Sequence, residues 1–116
     1  MVEQTLTLNS VFGSLADGTR RDILRRVTGT ELSVGELARA YSLSFAAVSK
    51  HIKILQQAQL IIKRRRGKEV MVSLAPEAFR DADEYLAWYR QRFEQRLDAL
   101  EEFLKDDKHN PGRQTR

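Results

Sequence analysis

Two short helical patterns in the middle of the chain are separated by only Ser42 and Leu43. The first opens at Ser33-Val34-Gly35-Glu36, a capping box with Ser33 as N-cap and Glu36 reaching back to it. It carries Val34, Leu37 and Ala38 inward and stops around Tyr41. The second opens at another N-cap, Ser44, and its Val48, Ile52 and Leu55 recur at i, i+4, i+7. So tight a connection does not make a long antiparallel hairpin; it makes a helix-turn-helix. That unit constrains everything placed around it.

Upstream, residues 1–7 read as a loose arm, and Leu8, Val11, Phe12 and Leu15 mark the apolar face of a first helix. Asp17 is the N-cap of a second helix, with Ile23, Leu24 and Val27 inside and an end near Gly29. Glu31-Leu32 is a short link. Downstream, Leu60 to Arg66 and Glu69 to Leu74 are rich in β-branched and long basic residues, with Gly67-Lys68 between them. Glycine at the first central position suits a type II′ hairpin. Val70, Val72 and Leu74 alternate as the buried face of a strand.

From Pro76 to about Lys105 one long helix is predicted, with proline in its first turn. Phe79, Ala82, Leu86, Tyr89, Phe93, Leu97, Leu100 and Leu104 step by three or four residues throughout. Such a helix is ~45 Å long, more than so small a domain covers with its own core. The surplus stripe asks for a partner chain, and a second copy is the simplest. The predicted organisation is an arm (1–7), one domain (8–105) and a tail (106–116) containing Asn110-Pro111-Gly112. The fold class is mainly α with a small β wing: a winged helix-turn-helix with a long C-terminal dimerisation helix.

Composition narrows the chemistry. The 116 residues suffice for one domain, and 41% hydrophobic with 31% charged residues predicts a folded, soluble chain. No cysteine is present, which excludes a disulfide scaffold, a thiolate metal site and a thiol nucleophile. Two histidines, His51 and His109, leave little for metal or acid–base work. No spacing sets a nucleophile beside an ordered base, so the chain is not expected to be an enzyme or to need a metal or cofactor. The N-terminal residues lack the pattern of a secretory signal, and no apolar run approaches the ~20 residues of a membrane span. The cytoplasm is the expected compartment, with no membrane partner.

Charge is unevenly placed. Ser44 to Glu69 holds seven basic residues against one acidic, a net of +6; Pro76 to Asp107 holds five against ten, a net of −5. The basic middle is the footprint of a polyanion, although charge also protects an exposed strand edge. With Val48, Ile52 and Leu55 inward, Ala46, Ser49, Lys50, Lys53 and Gln57 fall on or near the outer side of the second helix, with Phe45 at its start. Small side chains let a helix enter a major groove. Lys50 can bond guanine O6 and N7, Ser49 can serve base or phosphate, Phe45 or Ala46 can touch a thymine methyl, and the N-cap Ser44 is assigned to the DNA face with them. His51 either donates to a phosphate or packs on a neighbouring helix. Of the basic hairpin residues Lys63, Arg64, Arg65, Arg66 and Lys68, only about half point each way, and Arg64, Arg66 and Lys68 are assigned to DNA.

These segments resemble the ArsR (ArsR/SmtB) family of bacterial winged-helix repressors. The resemblance rests on Leu15 to Leu24, Leu32 to Ala38, Ser42-Leu43-Ser44 with Val48-Ser49-Lys50-His51-Ile52, and Arg64-Arg65-Arg66-Gly67-Lys68, and covers roughly 8–104. It implies a homodimeric repressor of a double-stranded operator, released by an effector that the sequence does not name. It places the dimer interface on the first and last helices: Leu8, Val11, Phe12 and Leu15 with Leu86, Tyr89, Phe93, Leu97 and Leu100.

Departures from the family are informative. Where metal-responsive relatives carry cysteines this chain has Ser33-Val34-Gly35, and soft metals need thiolates. Its last helix offers Asp81, Asp83 and Glu94 but no histidine for a nitrogen-ligated zinc. The chain looks like the subgroup without metal ligands. Gln59 stands where the family often has glycine after the reader helix. Two rival readings stay open. One is a ligand- or metal-gated sensor with Tyr85, Trp88 and Tyr89 around a pocket; the other is a protein–protein module whose basic face meets an acidic partner.

Overall fold

The computed structural model describes residues 2–108, with the side chains of 7–106. The order is α1 (Val2–Ser14), α2 (Gly18–Arg26), β1 (Leu32–Ser33), α3 (Val34–Tyr41), α4 (Phe45–Gln57), β2 (Ile61–Arg66), β3 (Glu69–Leu74) and α5 (Glu77–Lys108). The chain forms two compact units, residues 1–82 and 83–116.

In the first unit α4 packs against α1, α2, α3 and β2. Its stripe Val48, Ile52 and Leu55 lies in the core with Val11, Ile23, Leu37, Leu60 and Val72, each at most 1% exposed. The capping box forms as the sequence demands: Ser33 Oγ accepts the Glu36 N–H at 3.0 Å and Glu36 Oε1 accepts the Ser33 N–H at 2.8 Å. These bonds hold the Glu36 carboxyl below its usual range. The turn between α3 and α4 places Ser42 at φ 54°, with the Leu43 N–H closing back on the Ala38 carbonyl. α4 ends in the same way. Gln59 sits at φ 62° despite its side chain, the Leu60 N–H donates to the Leu55 carbonyl and the Gln59 N–H to that of Gln56. Leu55 and Leu60, both fully buried, supply the apolar contact that accompanies this cap.

The sheet has the order β1-β3-β2, antiparallel throughout. Arg66 opposes Glu69, so the turn is Gly67-Lys68, with Gly67 alone of the two at positive φ (62°), the sign pattern of type II′. Ile61 opposes Leu74, Lys63 opposes Val72 and Arg65 opposes Val70, which puts these on one face. Ile62, Arg64 and Arg66 share the other with Met71 and Ser33.

Three expectations are corrected. Helix α1 begins at Val2, so residues 2–7 are helical rather than an arm. No proline or glycine interrupts them, and a helix once nucleated gains a bond per added residue. Val11, assigned to the dimer interface, is fully buried in its own core. α1 must use its single apolar side to close the helix-turn-helix, leaving Leu8, Phe12 and Leu15 half-buried at its margin. Helix α5 runs to Lys108, beyond the predicted end at Lys105; the remainder of the tail, with His109, lies outside the described residues.

α5 buries Ala78 and Ala82 in the first unit, but from residue 83 to 106 none of its side chains is buried. Leu86, Tyr89, Phe93, Leu97, Leu100 and Leu104 are between 47% and 62% exposed. Among the described residues no helix is long and apolar enough to cross a membrane.

Candidate nucleic-acid interface

The reader helix is fixed by its buried stripe, which turns the opposite side outward. Ala46, Lys50, Lys53 and Gln57 are exposed on that side. Phe45, the first residue of α4, is 60% exposed, and Leu43 just before the cap is exposed as well. Ser44 is exposed, but its Oγ accepts the Ala47 N–H at 3.0 Å, so its hydroxyl is engaged in starting the helix. Ser49 and His51 are half-buried on the two flanks.

His51 faces the start of α2. Its Nδ1 lies 3.3 Å from an Arg20 guanidinium nitrogen and 3.9 Å from Asp17 Oδ2. Packing against a neighbouring helix, one of the two alternatives read from the sequence, is what the structure shows. Arg20 also donates to the carbonyls of Ser14 (2.8 Å) and Gly13 (3.2 Å), which closes the C-terminal end of α1. Asp17 caps α2 by accepting the Arg20 N–H at 3.0 Å, and this bond, ahead of the charges of His51 and Arg20, holds its carboxyl low. A second clamp ties α2 to α3: the Tyr41 hydroxyl donates to Asp22 at 2.5 Å while Arg26 bonds Asp22 at 2.9 Å and lies over the Tyr41 ring at 5.0 Å. The Tyr41 and Arg26 bonds hold the Asp22 carboxyl low, whereas burial and the Asp22 bond push the Tyr41 hydroxyl up to about 12.

In the wing, Arg66 and Lys68 are exposed as predicted. Arg64 is exposed too, yet its guanidinium is already forked onto Glu31, with Nε and one terminal nitrogen each 2.6 Å from a carboxylate oxygen. This bond depresses the Glu31 carboxyl and raises Arg64. Among the described residues, none of Lys63, Arg65, Arg66 or Lys68 is within ion-pair distance of a carboxylate. Sequence reasoning missed Glu31 and Arg20, because a two-residue strand and a carbonyl clamp leave no periodic trace. An acid immediately before the edge strand was the available signal for Glu31.

Tyr85, Trp88 and Tyr89 stack on one another along α5 rather than enclosing a cavity. The Trp88 and Tyr89 centroids are 4.8 Å apart and those of Tyr85 and Tyr89 5.1 Å, both edge-to-face, and the Arg92 guanidinium lies 3.8 Å from the Trp88 centroid. The groove beside them, lined by Leu86, Tyr89, Arg90, Arg92, Phe93 and Arg96, is open. Among the described residues no group of three or more His, Cys, Asp or Glu is placed to hold a metal ion.

Comparison with known proteins fits this geometry. A helix-turn-helix domain family matches residues 15–64. The transcriptional repressor SdpR of Bacillus subtilis is 33% identical over 75 residues, 65% of this chain and 83% of the repressor. The arsenic resistance transcriptional regulator ArsR1 of Pseudomonas putida is 35% identical over 107 residues, 91% of this chain and 78% of that protein. The regulator Rv2034 of Mycobacterium tuberculosis is 46% identical over 63 residues, and there the chain spans only 59% of the relative's length. A crystal structure of an ArsR family transcriptional regulator superposes with a TM-score of 0.71 at 29% identity, covering 78% of this chain and 93% of that one. The chain belongs to the ArsR family of winged helix-turn-helix regulators. It is a DNA-binding transcriptional regulator, a class without enzymatic activity.

Proposed function

We propose that the chain acts in the cytoplasm as a homodimeric repressor of a pseudo-palindromic operator. The observation that carries this reading is the outer face of α4: Ala46, Lys50, Lys53 and Gln57 stand exposed on a helix whose other face is locked in the core. Lys50 and Phe45 read bases, Ser49 serves base or phosphate, and Lys53, Arg66 and Lys68 bind phosphate. The repressor role follows that of the relative SdpR. The arsenic response in the name of ArsR1 does not carry over, because a chain without cysteine offers no thiolate to a soft ligand.

The exposed stripe of α5 supports dimerisation, since six large apolar side chains left half in water are poorly accounted for by one copy. Two reader helices then address half-sites about one helical turn, ~34 Å, apart or a multiple of it. Selection of bound fragments from random duplex DNA tests the reading. A recovered inverted repeat with that spacing is expected, and Lys50→Ala should weaken it by about 1–3 kcal/mol while sparing random DNA. Recovery of no preferred sequence overturns it.

A further inference from the structure

The wing carries more cations than it has free. Arg64 and Glu31 form a forked pair with two bonds of 2.6 Å, the same bidentate geometry that an arginine uses on a DNA phosphate. Glu31 is brought there by the sheet: Ser33 and Arg64 both oppose Met71, from the two sides of β3, so the residue before β1 reaches over the central strand to β2. Met71 is buried on this face, outside the main core, so the pair crosses a closed surface rather than a loose ribbon. The Glu31 side chain is 25% exposed against 54% for Arg64, which makes the acid the anchored partner and the guanidinium the one within reach of solvent.

We propose that Glu31 is an internal substitute for a DNA phosphate, occupying Arg64 and thereby restraining sequence-independent binding by the wing. This rests on the DNA-binding reading above. Nonspecific affinity comes almost wholly from cations on phosphates, each contributing a share of the salt dependence. A guanidinium already neutralised by a carboxylate releases no counterion when it meets the backbone, so Arg64 is silent in that sum. Arg66 shares the face and is within electrostatic reach of Glu31 but is not bonded to it, and remains available.

The test is the affinity of the full chain for a random-sequence duplex, followed by fluorescence anisotropy across a salt series. Glu31→Gln is expected to bind more tightly than the parent, with a log–log salt slope steeper by about 0.9 for each wing on the duplex, about 1.8 for a dimer with both wings engaged. Its advantage should shrink about threefold per engaged wing between 50 and 200 mM salt, about tenfold for the dimer. Combining it with Arg64→Gln should return the slope to that of the parent. Arg64→Lys, which keeps Glu31 but cannot form the fork, should steepen the slope by less. An unchanged slope in Glu31→Gln overturns the proposal, as does weaker binding, which would make Glu31 a support for the wing. A gain that persists without Arg64 overturns it as well, since it would reflect loss of negative charge alone. Absence of duplex binding by the parent chain at low salt would overturn both the proposal and the reading beneath it.

Discussion

Two apolar stripes drawn with the same helical spacing meet opposite fates in this molecule. Val48, Ile52 and Leu55 on α4 are at most 1% exposed, whereas Phe93, Leu97 and Leu100 on α5 are each about half exposed or more. Periodicity reports that a helix has an apolar side; what covers that side depends on how much other chain lies within reach. Around α4, three helices and a strand surround one short element. Beyond residue 82 the described residues hold only the continuation of α5, so no other described element of that unit plays that part. The lesson is that a stripe should be weighed against the number of elements available to bury it.

That contrast can be broken, beginning with the largest effect. Ile52→Ala should cost about 2–5 kcal/mol in denaturant unfolding, because a fully enclosed side chain leaves a cavity. A loss below 1 kcal/mol would mean that the α4 stripe is less sealed than its burial implies. Phe93→Glu should leave the core unit folded by circular dichroism but weaken self-association by about 2 kcal/mol or more, seen as monomers in sedimentation. Unaltered association would remove the α5 stripe from the interface.

Smaller effects sharpen the picture of the self-covered unit. Gln59→Gly should stabilise by about 0.5 kcal/mol, relief of a side chain at positive φ being partly offset by a freer unfolded chain. The Asp22–Tyr41 clamp gives a dependence on pH. Asp22 has a lowered folded pKa, so its contribution is present above the unfolded value of 3.8 and is lost as pH falls through the folded one. Tyr41 is raised, so its contribution is present below 10 and disappears as pH rises toward about 12. Tyr41→Phe should therefore remove the Tyr41 share of the alkaline loss in thermal melts and blunt the acidic one.

Local chemistry was readable and long-range pairing was not. Ser33 with Glu36, the caps Asp17 and Ser44, and the Gly67 turn all depend on neighbours within a few residues, and each forms where the sequence places it. The outer face of α4 follows from its inner stripe in the same way. Val11 was misplaced because a periodic apolar residue does not say whether its own chain or another will bury it. Met71 falls outside the alternation of Val70, Val72 and Leu74, yet it is buried on the face crossed by Glu31 and Arg64. Their bond joins positions 33 residues apart, through a strand too short to show any pattern.

The pairing of β2 with β3 has one more implication, for how this ribbon can change over time. Gly67 pins one end of it and buried Ile61 the other. A shift by one residue would send Ile61 into water and exchange the sides of every cation between them. Swapping a single side chain alters one address on the hairpin, while an inserted or deleted residue scrambles all of them together. Lineages diverging from this protein should therefore vary the lettering of the hairpin freely and conserve its length.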